Sequence, residues 1–216
     1  MKKGLENIET LIFDFDGTIA DTLDLGHKIA NSLSGKFKFK KINGKEELDY
    51  YRNMSTQEAI KAVGVSYLKL PFVAAAFKKR LAQNIDQLNP IDGIPEVIKE
   101  LAKHYDLGIL TSNSKSNVKD FLSKHGLTDC FQYIATDIGV FRKKRSILSM
   151  IKTYTIDARK TVLIGDETRD IEAAKKCELP IISVSWGFHT RDNLKSHEPN
   201  YIIDNPLELL TLLNVQ

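Results

Sequence analysis

The sequence predicts an α/β protein with a doubly wound parallel sheet and a small helical module inserted after the first strand. Three observations carry this expectation. Short apolar runs alternate with amphipathic helical patterns along most of the chain. Several of those runs are apolar without strict alternation, as in strands covered on both faces. The stretch from about Asp21 to Gln87, by contrast, contains no convincing strand.

The first strand is "TLIFDF" at Thr10. Three helical patterns follow it: "DTLDLGHKIANSLSG", "TQEAIKAVG" and "LPFVAAAFKKRLAQNIDQL". Between the first two, the lysine-rich "GKFKFKKINGKEE" reads as a solvated face or loop, because Glu46 and Glu47 dilute its charge. "GIPEVIKELAKHY" is a helix with Pro95 in its first turn and Val97, Ile98, Leu101 and Ala102 on one stripe. Strand "LGILTS" (Leu107 to Ser112) leads to helix "NVKDFLSKHG", which stops at Gly126. "YIAT", "TVLIGD", "IISVSW" and "YIID" complete the strands, and "TRDIEAAKKC" is a helix with an acidic start and a basic end. The core therefore spans 1–20 and 88–216, and the helical module 21–87.

The chain has 216 residues, 42% of them hydrophobic and 27% charged, which is enough for a sizeable core. A net charge of +3 gives no reason to expect nucleic acid or a membrane as partner. No apolar run approaches membrane-spanning length, and "MKKGLENIET" has no apolar signal region. Cys130 and Cys177 read as buried, reduced thiols, so a cytoplasmic location is expected. The sequence is silent on oligomeric state.

In open parallel sheets, ligands bind beyond the C-terminal strand ends. Strand one offers Asp14 and Asp16 there, the second Thr111, Ser112 and Asn113, and "TVLIGD" offers Asp166, followed by Glu167 and Asp170. Several carboxylates in one crevice require a cation. The donors are all hard oxygens, which favours Mg²⁺ over Zn²⁺. Ser112 and Asn113 lie where a strand gives way to a helix, so backbone N–H groups there suit an anion. "FRKKRS" adds Arg142, Lys143, Lys144 and Arg145. Metal, anion nest, lysine and free carboxylate together suit phosphoryl transfer.

"DFDGTIADT", "LTSNS", a lysine at 143 or 144, and "IGDETRD" occur in that order. They resemble the four motifs of the haloacid dehalogenase superfamily, and the spacing covers nearly the whole chain. The helical segment resembles its C1-type cap, and the tail resembles the phosphoglycolate phosphatase-like subgroup. This resemblance implies a Mg²⁺-dependent phosphatase acting on a small phosphorylated metabolite such as phosphoglycolate. It implies Asp14 as nucleophile and Asp16 as general acid and base, with metal ligation by Asp14, the Asp16 backbone carbonyl and Asp166. Asp170 and Glu167 would stand behind the metal, Asp170 holding metal-bound water or orienting the lysine. Ser112 and Asn113 would bind phosphate. Aligning "VFRK" with the family's frequent VFGK favours Lys143 over Lys144 as the motif lysine.

Relatives with other chemistry define the rivals. Haloacid dehalogenases lack the second aspartate of the first motif, so Asp16 argues against that reaction. A phosphonate hydrolase needs a cap lysine, for which Lys28, Lys36 and Lys45 are the candidates. A phosphomutase fits the same motifs. A receiver-type phospho-accepting domain would be shorter and would not need the helical insertion. Arg52 and Asn53 are candidates for substrate contact. Trp186, Phe188 and His189 could line the cleft, although packing is the expected role. Glu178 stands where the family often has a left-handed glycine, at a cost of about 1 kcal/mol.

Overall fold

The computed structural model describes residues 5–136 and 143–215. Arg142 and the rest of the "VFR" stretch compared above lie outside the described residues. Strand β1 (Thr10–Phe13) is followed by four helices, α1 (Leu23–Phe37), α2 (Gly44–Arg52), α3 (Thr56–Ala62) and α4 (Leu70–Ala82). Next come α5 (Ile94–Leu101), β2 (Asp106–Leu110), α6 (Lys115–Lys124) and β3 (Tyr133–Ala135). The chain continues through α7 (Lys143–Tyr154), β4 (Thr161–Gly165), α8 (Thr168–Lys176), β5 (Ile181–Val184), α9 (Arg191–Ser196), β6 (Tyr201–Ile203) and α10 (Glu208–Leu212).

The six strands form one parallel sheet in the order β3-β2-β1-β4-β5-β6. This is the doubly wound fold that the alternation predicted. From β1 the chain winds outward through β2 and β3, then crosses back to β4 on the other side of β1. Phe13 pairs with Ile109 of β2 and Ile164 of β4, so the residues just after these three positions share one edge at the switch point.

The period of two along β1 decides what meets what. Leu11, Phe13 and Phe15 enter one buried layer with Val97 and Leu101 of α5 and Phe121 of α6. Ile12 enters the opposite layer with Ile147 and Met150 of α7 and Ile171 of α8. Asp14 continues the Ile12 side, which aims its carboxylate at α7 and α8.

The helical segment contains one element more than the sequence reading gave. The lysine-rich stretch is only partly a loop: it ends α1 and then begins α2 at Gly44, with a Lys40–Glu47 ion pair at 2.5 Å near the surface. The last predicted helix also stops earlier, α4 ending at Ala82 ahead of a 3₁₀ turn at Ile85–Gln87. The chain leaves and re-enters the sheet domain side by side. Asp21 N–H donates to the Asn89 carbonyl and Ile91 N–H to the Ile19 carbonyl, both at 2.9 Å.

Two smaller expectations have clear outcomes. Cys130 and Cys177 are free thiols, but both are half-buried, not buried. Glu178 does adopt the left-handed conformation, with φ 58°, just after α8. Its side chain is exposed, so only the backbone opposes it. Glu178→Gly is therefore expected to raise unfolding stability by roughly 0.5–1 kcal/mol in a denaturant titration.

Candidate active site

Asp14 follows β1 directly, and its N–H continues the sheet ladder to the Ile164 carbonyl at 2.8 Å. Its side chain is buried at the strand end. Oδ1 accepts from Phe15 N–H at 2.7 Å, and Oδ2 accepts from Lys143 Nζ at 2.6 Å. Lys143 Nζ also lies 2.5 Å from Asp170 Oδ1. Lys143 opens α7 and is buried, whereas Lys144 is exposed, so Lys143 is the lysine that reaches the acids. Burial opposes the Lys143 charge, but Asp14 and Asp170 outweigh it and hold the ammonium above the ordinary lysine range.

Asp166 follows β4 and is fully buried. Thr18 Oγ1 donates to its Oδ1 and Phe188 N–H to its Oδ2, each at 2.7 Å. Glycines make room for it. A Cβ on Gly17 or on Gly187 would overlap the Asp166 carboxylate, and Gly17 also has φ +79°. Carboxylate oxygens of Asp14, Asp166 and Asp170 lie within 4.8 Å of one another.

Asp16 is placed differently. It is less buried than Asp14, and it accepts from Thr111 Oγ1 at 3.4 Å and from Asn113 Nδ2 at 3.3 Å. Its carboxylate thus faces the end of β2, apart from the three-acid cluster. Burial and the nearby Asp14 charge push its pKa up to about 7. Burial likewise holds Asp14 above the carboxylate range, although Lys143 pulls it back. Asp166 is held well above that range by burial, with Glu167 and Asp14 adding to the effect.

The predicted phosphate-binding pair divides. Ser112 faces the cleft, while Asn113 is buried. Asn113 N–H is taken by Thr111 Oγ1 at 3.0 Å, and its Oδ1 accepts from Ser114 N–H and Asn117 Nδ2. Asn113 therefore shapes the turn and holds Asp16. The α6 cap is Ser114, which leaves Ser112 clear of that duty.

Glu167 borders the three-acid cluster without joining it. It accepts from Thr56 Oγ1 of α3 at 2.9 Å and pairs with Arg169. Its N–H is received by Asp170 Oδ2 at 3.1 Å. Arg169 carried no expectation, yet its charge acts on Asp14, Asp16 and Asp170. Its place inside "GDETRD" was the available signal. Thr18 was likewise quoted without a role.

Arg52 does not point at a substrate position. Its Nε donates to the Phe188 carbonyl at 3.0 Å and its Nη2 to the Gly187 carbonyl at 2.9 Å. Asn53 hydrogen-bonds Thr190. These contacts fasten the end of α2 onto the loop that presents Phe188 N–H to Asp166. Phe188 lines the cleft. His189 is buried and accepts Thr168 N–H on Nδ1 at 2.9 Å, a bond that needs the neutral ring, and burial lowers its pKa accordingly. Lys28, Lys36 and Lys45 are all exposed and do not line the cleft.

The residues fit a cation. Asp14, Asp16, Asp166, Glu167 and Asp170 share the crevice with Lys143 and Arg169, so negative charge is in excess among these groups. Raised carboxyl pKa values also have a sign. A folded acid with a raised pKa holds protons that the unfolded chain releases. Stability of the metal-free protein therefore falls as pH rises from the unfolded carboxylate range through about 7, the Asp16 value. A divalent cation bound there would take over from those protons. Millimolar Mg²⁺ is expected to raise Tm clearly at about pH 8 and much less at about pH 5, measured by scanning calorimetry. Equal shifts at both pH values would contradict this.

An acid-lined, lysine-bearing cleft at the switch point of a parallel α/β sheet defines the class: a phosphoryl-transfer hydrolase. The comparisons agree. The family model for haloacid dehalogenase-like hydrolases matches residues 11–184, and the chain belongs to that family. It is 29% identical over 206 residues to the phosphoglycolate phosphatase of Synechococcus elongatus, covering 94% of this chain and 96% of that one. It is 24% identical over 210 residues to the pyrophosphatase PpaX of Listeria innocua, covering 95% and 96%. Among solved structures, a predicted phosphatase from Clostridium acetobutylicum superposes with TM-score 0.81 at 21% identity, over 97% of this chain and 99% of that one. A putative phosphoglycolate phosphatase from Lactobacillus plantarum gives 0.80 at 17% identity, over 95% and 99%. The chain is a phosphatase of the phosphoglycolate phosphatase-like subgroup, a phosphoric monoester hydrolase. The receiver-type reading is set aside. No helix among the described residues is long and apolar enough to cross a membrane.

Proposed function

We propose that this protein is a Mg²⁺-dependent phosphatase that hydrolyses a small organic phosphomonoester through an aspartyl-phosphate on Asp14. The observation that carries the reading is the contrast between the two aspartates: Asp14 bonded to Lys143 beside Asp166 and Asp170, Asp16 apart from them with a pKa of about 7. Asp14 attacks phosphorus, and the bond from phosphorus to the alcohol oxygen breaks. Asp16 gives its proton to that oxygen, and a group with a pKa near 7 suits the task. Asp16 then takes a proton from water, which attacks phosphorus, releases phosphate and restores the Asp14 carboxylate.

Asp14, Asp166 and the Asp16 backbone carbonyl would hold Mg²⁺, with Asp170 and Glu167 behind them. When bound, the ion neutralises charge on the phosphoryl oxygens. Lys143 favours the ionised form of Asp14 and holds it in place, Ser112 borders the phosphoryl position, and Asn113 supports that turn while holding Asp16. Residues 21–87 act as the cap that closes over the site and excludes water. The substrate is a phosphorylated metabolite, with neither nucleic acid nor membrane as partner. The two free thiols support a cytoplasmic location.

Phosphate release from phosphoglycolate and from p-nitrophenyl phosphate tests this reading. Release is expected with Mg²⁺, with loss to background on chelation and recovery on re-addition. Release indifferent to chelation, or absent with every ester, would overturn it.

A further inference from the structure

A cavity of about 370 Å³ opens from the catalytic residues into the helical segment. Asp16 and Ser112 stand at one end. Its walls beyond them are aliphatic and aromatic, with Ile60, Val65, Leu70, Val73 and Phe77 contributed by α3, α4 and the turn between them. An apolar cavity of about 150 Å³ already holds a benzene ring, so this one is large for a two-carbon acid.

The polar side chains on the wall are mostly engaged. Asn31 accepts Ile42 N–H and donates to the Ile42 carbonyl, at 2.9 and 2.7 Å. Lys40 pairs with Glu47, and Thr56 donates to Glu167. Arg169 is paired with Glu167, and Lys78, half-buried on α4, also borders the cavity and is engaged in an interaction of its own. Thr22 Oγ1 is buried and lacks a partner among the described residues, which allows one uncharged hydrogen bond and offers no charge. A carboxylate on the leaving group would lose its water against a mostly apolar wall whose cations, Lys40, Lys78 and Arg169, already have other interactions.

We infer that the favoured substrates are phosphate monoesters of apolar alcohols, an aromatic ring or a medium-length alkyl group, whose body fills this cavity while phosphate meets Asp14. The inference rests on the phosphatase reading above. The overall change is R–O–PO₃²⁻ plus water to R–OH plus hydrogen phosphate, with Asp16 protonating the oxygen that leaves with R.

The test is kcat/KM with Mg²⁺ for methyl, butyl, hexyl and phenyl phosphate and for phosphoglycolate. Each buried methylene is expected to raise kcat/KM roughly threefold to fourfold. Hexyl phosphate should then exceed phosphoglycolate by roughly tenfold or more. In Ala74→Phe, which projects a ring into the cavity, the hexyl-to-methyl ratio should collapse. A flat series, a preference for phosphoglycolate, or an unchanged ratio in Ala74→Phe would overturn the inference while leaving the phosphatase reading intact. No phosphate from any ester would overturn both.

Discussion

Asp14→Asn is expected to lower kcat by about four orders of magnitude or more, because an amide oxygen cannot form the covalent intermediate. The loss should be in chemistry and not in folding. Asn is close in shape to Asp, and Lys143 keeps its contact with Asp170 at 2.5 Å. Removing one charge from a crevice rich in carboxylates also relieves repulsion, since Asp170 raises the Asp14 pKa and Asp14 raises those of Asp16 and Asp166. Circular dichroism and Tm without metal should therefore match the parent chain, while the Tm increase caused by Mg²⁺ shrinks. Near-normal turnover in Asp14→Asn would remove Asp14 from the nucleophile's role.

Lys143→Met is expected to act on stability as well as on rate. Lys143 is 6% exposed and lies within 2.6 Å of both Asp14 and Asp170. Taking one partner from a buried ion pair leaves uncompensated charge and costs about 3–5 kcal/mol. The size of the loss depends on pH. Protonation of the abandoned Asp14 carboxyl, already held above the carboxylate range by burial, relieves the penalty, so the destabilisation should be smaller near pH 5 than near pH 8. Because Met also leaves Asp14 harder to ionise, kcat should fall by about a hundredfold or more even when added Mg²⁺ restores folding. Lys144→Met, at an exposed neighbour, should change neither by a measurable amount.

The sheet was legible because its signal is local. The apolar runs at Thr10, Leu107, Thr161 and Ile181 became β1, β2, β4 and β5, and the strand ends delivered Asp14, Thr111 and Asp166 to one edge. The second helix of the insertion was less legible. Its residues, "GKEELDYYR", have one buried side chain, Tyr51, so no apolar stripe announces it. Roles set by contacts distant in sequence were hidden for another reason. Arg52 looks like an exposed helix end, yet it reaches the carbonyls of Gly187 and Phe188. Phe188 reads as packing, but its backbone N–H holds Asp166. Asn113 reads as a phosphate ligand, whereas its amide is tied to Thr111 and Asp16. Burial of the cavity wall was also invisible, since helical periodicity alone does not separate residues that fill a core from residues that line an empty space.

The division of labour between Asp14 and Asp16 is tested most directly by trapping the phosphoryl group. Asp16→Asn enzyme is mixed with p-nitrophenyl phosphate, whose phenolate leaves without needing a proton, and quenched in acid. Asp14 should then take up the phosphoryl group, while the water step, deprived of its base, lags behind. Peptide mass spectrometry should show one phosphoryl group on the peptide carrying Asp14, and none on the Asp14→Asn/Asp16→Asn double variant. A phosphoryl group on any other residue, or sustained hydrolysis by the double variant, would contradict the mechanism.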